Sequence, residues 1–311
     1  MSSSGSARRP GSAAAAEAAR GMPTLAAEAA REAAAKAELK SLEAKGFPAP
    51  EGERAYSYLD RNLDLLGSLD PELRDGLFYE AAGAWLERCP FSREELQALA
   101  ERLASGDFLF RGIEDPSGDE VYRRTFSALV LDLLVRRSNG GEGMEAVDLG
   151  AEATAAVVAA MERYAAEERN LSGYDPGKGW AHSSAHAADV LASLAASPYV
   201  DRRGLERVLA AARTLLLKSQ SAYAHQECGR IAKVLVAAYR RGDPARALVR
   251  PWIEEALEAC PRAFADSAAY ARWTNLLDLL RSLYFHLRAE PDGAELADFV
   301  ESKVRVMMRI A

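Results

Sequence analysis

Residues 70–103 read DPELRDGLFYEAAGAWLERCPFSREELQALAERL, and two helix starts are written into them. Asp70 before Pro71 and Glu72 is an N-cap with proline at the first helical position, where its missing N–H is no loss. It opens a helix predicted over 71–88. Ser92 and Glu95 have the spacing of a capping box, and Phe91 stands where a hydrophobic staple onto Leu96 belongs. Outward from this stretch, apolar periodicity predicts helices over 119–137, 144–169, 180–196, 202–219, 222–241, 250–260, 267–288 and 293–309. Turn clusters separate them, among them Asp115-Pro116-Ser117-Gly118, Asn139-Gly140-Gly141, Asp175-Pro176-Gly177 and Gly242-Asp243-Pro244. Connections this short fold successive helices back as antiparallel hairpins. The expectation is an all-α chain of stacked helix hairpins, a HEAT-like α-solenoid or an α/α layer, with no fixed repeat period in the letters.

Residues 1–34 are rich in Ala, Ser and Gly and hold too few large apolar side chains to pack, so a mobile tail is expected there. From Ala35 the pattern changes. Leu39, Leu42 and Phe47, then Pro48 and Pro50, predict a short helix leading into a single domain over 35–311.

Composition narrows the function classes. The 311 residues are 49% hydrophobic and 27% charged, with a formal net charge of −7. A surface of that sign repels phosphate backbones, and no basic helix offsets it, so nucleic acid is not an expected partner. No apolar run reaches the roughly 20 residues of a membrane span. Arg8 and Arg9 suggest a twin-arginine leader, but Glu17 and Arg20 interrupt the stretch that follows. Cys89, Cys228 and Cys260 are scattered and odd in number, which fits a reducing compartment. A cytoplasmic location is therefore expected.

Function is sought in polar residues on faces that ought to be apolar. In Trp180-Ala181-His182-Ser183-Ser184-Ala185-His186-Ala187-Ala188-Asp189, a helix places His182, His186 and Asp189 on one face. Two imidazoles and a carboxylate at that spacing can hold a divalent metal such as zinc with an open position for water. The opposing reading is a pair of histidines satisfied by hydrogen bonds. The glycine-rich loop 173–179 ahead of them could bring backbone close to an anion. Glu80 falls on the stripe Leu73, Leu77, Ala84, and Arg124 lies between Val121 and Ala128. Glu227 shares a face with Ile231 and Val234, with His225 and Arg230 nearby. Asn275 lines up with Leu279, and His286 lies further along that face. Glu80–Arg124 and Glu227–Arg230 are the expected ion pairs if these groups serve only helix register.

The segments LDPELRDGLFYEAAGAWL (69–86), LFRGI (109–113), VYRRTFSALVL (121–131), NLSGYDPGKGWAHSSAHAADVL (170–191) and HQECGRI (225–231) together resemble a bacterial family of uncharacterised proteins, domain of unknown function 2785. The resemblance runs from about residue 36 to the C-terminus, with GKGWAHxxAHxAD its most specific part. It implies an all-helical protein and brings no activity with it. Its pattern matches this chain at Asp70, Pro71, Arg74, Asp75, Arg124, Phe126 and Ser127. It matches again at Gly173, Tyr174, Gly179, Trp180, His182, His186, Asp189, His225, Glu227 and Arg230. An acidic pair belongs after Glu227 in that pattern, and this chain has Cys228 and Gly229 instead.

The favoured expectation is a helical-repeat binding protein with no cofactor. Its pocket, built from Arg124, Trp180, His182, His186, Asp189, His225, Glu227 and Arg230, would take a small anionic or zwitterionic molecule or a peptide. Arg124 and Arg230 would supply the charge. The alternatives are a metal-dependent hydrolase-like enzyme using His182, His186 and Asp189, with Glu227 or Glu80 as base, and a scaffold without pocket chemistry.

Overall fold

The computed structural model describes residues 25–140, 145–260 and 265–309. Most of the expected tail, with Arg8 and Arg9, lies outside these residues, as do Gly141 and the predicted helix start at 144. The rest of the expected tail, from Leu25, is helical: α1 spans Leu25–Glu43. Two short elements follow that the periodicity did not signal, α2 (Ala55–Asn62) and a 3₁₀ turn (Leu63–Gly67).

Asp70 caps the next helix as its sequence predicts, its Oδ1 accepting from the Glu72 and Leu73 N–H groups at 3.0 and 3.3 Å. That helix begins as a wide π-type segment, Glu72–Tyr79, before running on as α3 (Glu80–Arg88). A wider turn advances fewer degrees per residue, so the inward face passes through Leu73, Leu77, Ala81 and Trp85, and Glu80 is left exposed. The expectation of a buried Glu80 is thereby corrected. The capping box at Ser92 is present in both directions, with Glu95 N–H to Ser92 Oγ at 3.2 Å and Ser92 N–H to Glu95 Oε2 at 2.9 Å, and opens α4 (Arg93–Leu103).

The remaining helices are α5 (Glu120–Asn139), α6 (Ala151–Glu167), α7 (Ser183–Ala196), α8 (Arg202–Lys218), α9 (Glu227–Arg240), α10 (Val249–Ala259), α11 (Ser267–Arg288) and α12 (Ala294–Met308). Among the described residues the only strands are β1 (Tyr174–Asp175) and β2 (Gly179–Trp180), an antiparallel hairpin with Tyr174 opposite Trp180. The chain is all-α apart from this hairpin.

Alternate helices pack side by side. α3, α5, α7, α9 and α11 form one row, and α4, α6, α8 and α10 a second, so successive helices alternate between the two. One apolar core runs through both rows from Ala35 to Val300. The middle of the first row is dense because α7 is made of small residues. Ala185, Ala187 and Ala188 are fully buried, which brings α5 and α9 close on either side.

A candidate polar site at the starts of α7 and α9

Two helix starts meet here, and each is preceded by a non-glycine residue in the left-handed region. His182 has φ 54° and ψ 35°, and Gln226 has φ 71° and ψ 12°. Such a conformation costs on the order of 1–3 kcal/mol and persists only where surrounding contacts dictate it. Those contacts are visible at His182. The Ala181 N–H donates to the Gly173 carbonyl at 2.9 Å, and the His182 N–H to the Ser172 carbonyl at 3.0 Å. Trp180 and His182 were expected inside a helix; these bonds pull them into the β hairpin and its exit.

Two glycines of the hairpin region are required by packing. A Cβ on Gly179 would stand 2.7 Å from Pro71, and one on Gly173 would stand 2.1 Å from Nδ1 of His225. The hairpin is clasped by Arg74, fully buried and, among the described residues, without a carboxylate within ion-pair distance. Its guanidinium donates to the Ser68 and Lys178 carbonyls, each at 2.6 Å, and lies over the rings of Tyr122 and Phe126. Asp75, the next residue, has its carboxyl pushed up by burial, with Arg74 and His182 opposing.

The His182 ring stacks on Trp180 with centroids 4.3 Å apart and 18° between planes. Its Nε2 lies 2.8 Å from the His225 carbonyl. Burial lowers its pKa below the ordinary imidazole value, against the raising pull of that carbonyl and of Glu227. Glu227, the first residue of α9, turns back. Its Oε2 accepts the His225 N–H at 2.7 Å, while Oε1 faces His225 Nδ1 at 3.8 Å and His182 Nε2 at 4.0 Å. Among the described residues the His, Cys, Asp and Glu ligand atoms that lie within 4.8 Å of one another are those of His182, His225 and Glu227.

The expected ligand set is corrected accordingly. His182 leaves the helix one residue before it starts, and although its ring stays 5.5 Å from that of His186, Asp189 turns to Arg230, so the three form no common ligand cluster among the described residues. His186 is buried against α5, edge-on to Phe126, and its Nδ1 has no hydrogen-bond partner among the described residues. Asp189 pairs with Arg230 across α7 and α9, and burial with the neighbouring Asp132 raises its pKa to about 6. The expected Glu227–Arg230 pair is therefore absent.

Arg124 does not reach Glu80. It grips Glu168 with two bonds of 2.6 and 2.9 Å, both side chains almost wholly buried, and Glu168 also accepts the Asn170 N–H at 2.9 Å. Neither Arg124 nor Arg230 is thus free to supply charge to a ligand. Asn275 faces inward as expected and holds the loop before α9, accepting the Tyr223 N–H at 2.8 Å and donating to the Ser221 carbonyl. His286 lies elsewhere, beside a separate depression between α5, α7 and α9.

Glu227 and His225 form one end of an open cavity of about 680 Å³ between loops 168–173 and 218–225. Residues the sequence did not single out complete it. Lys218 donates to the Ala165 and Glu168 carbonyls, and burial drops its pKa to about 8. Arg169 lines the cavity, is exposed, and has no ion-pair partner among the described residues. Both sit in ordinary charged helix ends, where nothing distinguishes them from a solvated surface. Asp132 did carry a signal, a lone carboxylate in the apolar run ALVLDLLV.

Fold and site together define an all-helical protein of layered hairpins whose polar cavity ends in a carboxylate–imidazole cluster. The chain belongs to the family described as Protein of unknown function (DUF2785), whose model matches residues 109–285. That span holds every residue of the cluster but excludes α1 to α4, and so leaves out Arg74. No curated protein and no solved structure matches the chain.

Proposed function

We propose that this is a helical-repeat, HEAT-like binding protein whose cavity between loops 168–173 and 218–225 holds a small anionic or zwitterionic ligand. The observation that carries this reading is Arg169, an uncommitted cation on the wall of a cavity of about 680 Å³, a size ordinary for a small-molecule site. The ligand's negative group is met by Arg169, with Lys218 behind the wall and His225 as a hydrogen-bond partner. The Arg124–Glu168 pair shapes the wall instead of binding. Three free thiols, two of them buried, support the cytoplasm as the location, and a net charge of −7 argues against a nucleic-acid partner.

The test is a thermal shift series in EDTA with inorganic phosphate, succinate and a free amino acid at millimolar concentration. At least one raises the melting temperature by several degrees, and Arg169→Ala removes the rise. If none of the three shifts the melt, or if Arg169→Ala leaves the shift intact, the reading is wrong.

A further inference from the structure

We propose that Nε2 of His182, Nδ1 of His225 and Oε1 of Glu227 hold one divalent transition-metal ion, of the zinc type, at the inner end of the cavity. This goes beyond the anion reading and stands whether or not a ligand occupies the cavity.

The spacing is the first support. Tetrahedral zinc with nitrogen and oxygen ligands sets neighbouring donors about 3.4 Å apart. Glu227 Oε1 is 3.8 Å from His225 Nδ1 and 4.0 Å from His182 Nε2. His182 Nε2 and His225 Nδ1 lie within 4.8 Å of each other, so closing all three donors to ligand geometry takes movements of up to roughly 1.5 Å, to which the His225 side chain, 40% exposed, contributes. His182 Nε2 exchanges the His225 carbonyl for the ion, with its ring hydrogen moving to Nδ1.

The charge of Glu227 is the second support. This carboxylate is 4% exposed, yet among the described residues no lysine or arginine stands within ion-pair distance of it. Arg230, one turn along α9, is committed to Asp189. The ionisable side chains within 4.0 Å of Oε1 among the described residues are the two imidazoles, and neutral imidazole is a metal ligand, not a counter-ion. A buried carboxylate in that setting calls for a cation.

The third support is how firmly the donors are aimed. Trp180 fixes the plane of His182 by stacking, and the absence of a side chain at Gly173 admits His225. His182 is itself one of the two left-handed residues that open α7 and α9, and His225 adjoins the other, Gln226. Three protein donors leave a fourth position directed to the cavity, where water or an acidic group of a ligand completes the shell.

The experiment uses full-length chain without a histidine tag, stripped with EDTA and titrated with Co²⁺. One equivalent produces the visible d–d bands of tetrahedral cobalt, and Zn²⁺ displaces them. His225→Ala and Glu227→Gln, the first at a half-exposed position and the second isosteric, each weaken binding roughly tenfold or more while both stay folded without metal, and Glu227→Gln, which removes the buried charge, melts no lower than the metal-free wild type. His186→Ala and Asp189→Asn, if folded by circular dichroism, keep the bands. The proposal is overturned by the lack of a saturable one-equivalent band, by a band that survives Glu227→Gln, or by one that disappears in folded His186→Ala or Asp189→Asn. Because the anion series is run in EDTA, failure of either experiment leaves the other interpretable.

Discussion

His186 and Asp189 lie one helical turn apart on α7, and burial acts on them in opposite senses. The imidazole is held well below its ordinary pKa, and the carboxyl is raised to about 6. For His186 the unfolded chain binds the proton more tightly, so its contribution to stability is complete above the ordinary imidazole value and is lost as the pH falls below it. His186→Phe, an apolar ring beside Phe126, is expected to flatten that acid limb in urea unfolding between about pH 7 and 5. For Asp189 the native state binds the proton more tightly. Stability from this group is greatest below the unfolded carboxyl value and declines until about pH 6. The shift corresponds to as much as about 3 kcal/mol. Asp189→Asn removes this decline, so wild-type stability measured relative to the variant falls from pH 4 to 6. A constant difference across that window would refute the assignment. At this scale the sequence was informative about which side chains face inward, since His182, His186, Asp189, Glu227 and Asn275 all do. It was silent about partners, because partners are chosen by neighbouring helices that no local spacing encodes.

Arg124 and Glu168 join α5 to the end of α6 through a pair with almost no solvent contact. Leaving one charge buried alone costs about 3–5 kcal/mol, so Arg124→Met and Glu168→Gln are each expected to lose that much in chemical denaturation. The double variant Arg124→Met with Glu168→Leu should lose clearly less than the two combined, since it leaves no orphaned charge. Gly173→Ala is a second element-level prediction. Its methyl would occupy the place of the His225 ring, so the imidazole resonances should shift and cobalt binding should fall while helix content holds. Elements with strong local signals were legible. The capping box at Ser92 and the span of α11 (267–288) match their sequence expectations. The failures share a cause, contact that overrides propensity. Trp180 and His182 are drawn from the expected helix by the Gly173 and Ser172 carbonyls, and the π-type segment before α3 turns Glu80 outward.

The family match begins at residue 109, between α4 and α5, whereas the apolar core does not pause there. Leu63, Leu65, Leu66 and Trp85 belong to the same cluster as Leu131 and Leu134 of α5. Arg74, which clasps the hairpin through Lys178, also lies before that boundary. A fragment of residues 109–285 is therefore expected to melt well below the full chain and to bind a hydrophobic dye such as ANS. A fragment as stable as the full chain would show that α1 to α4 are dispensable. The layered arrangement was readable from helix and loop lengths, because such rows follow from short connections. The width of the gap between rows was not, as it depends on side-chain volume across the interface. Spacing within a row depends on side-chain volume too, and at α7 the buried flanks carry alanines. His182 precedes α7 and His225 precedes α9, so the separation of the two imidazoles is gauged by methyl groups. Enlarging Ala187 or Ala188 by even a few carbons would wedge the flanking helices apart and detune the distant imidazole pair without touching either ring.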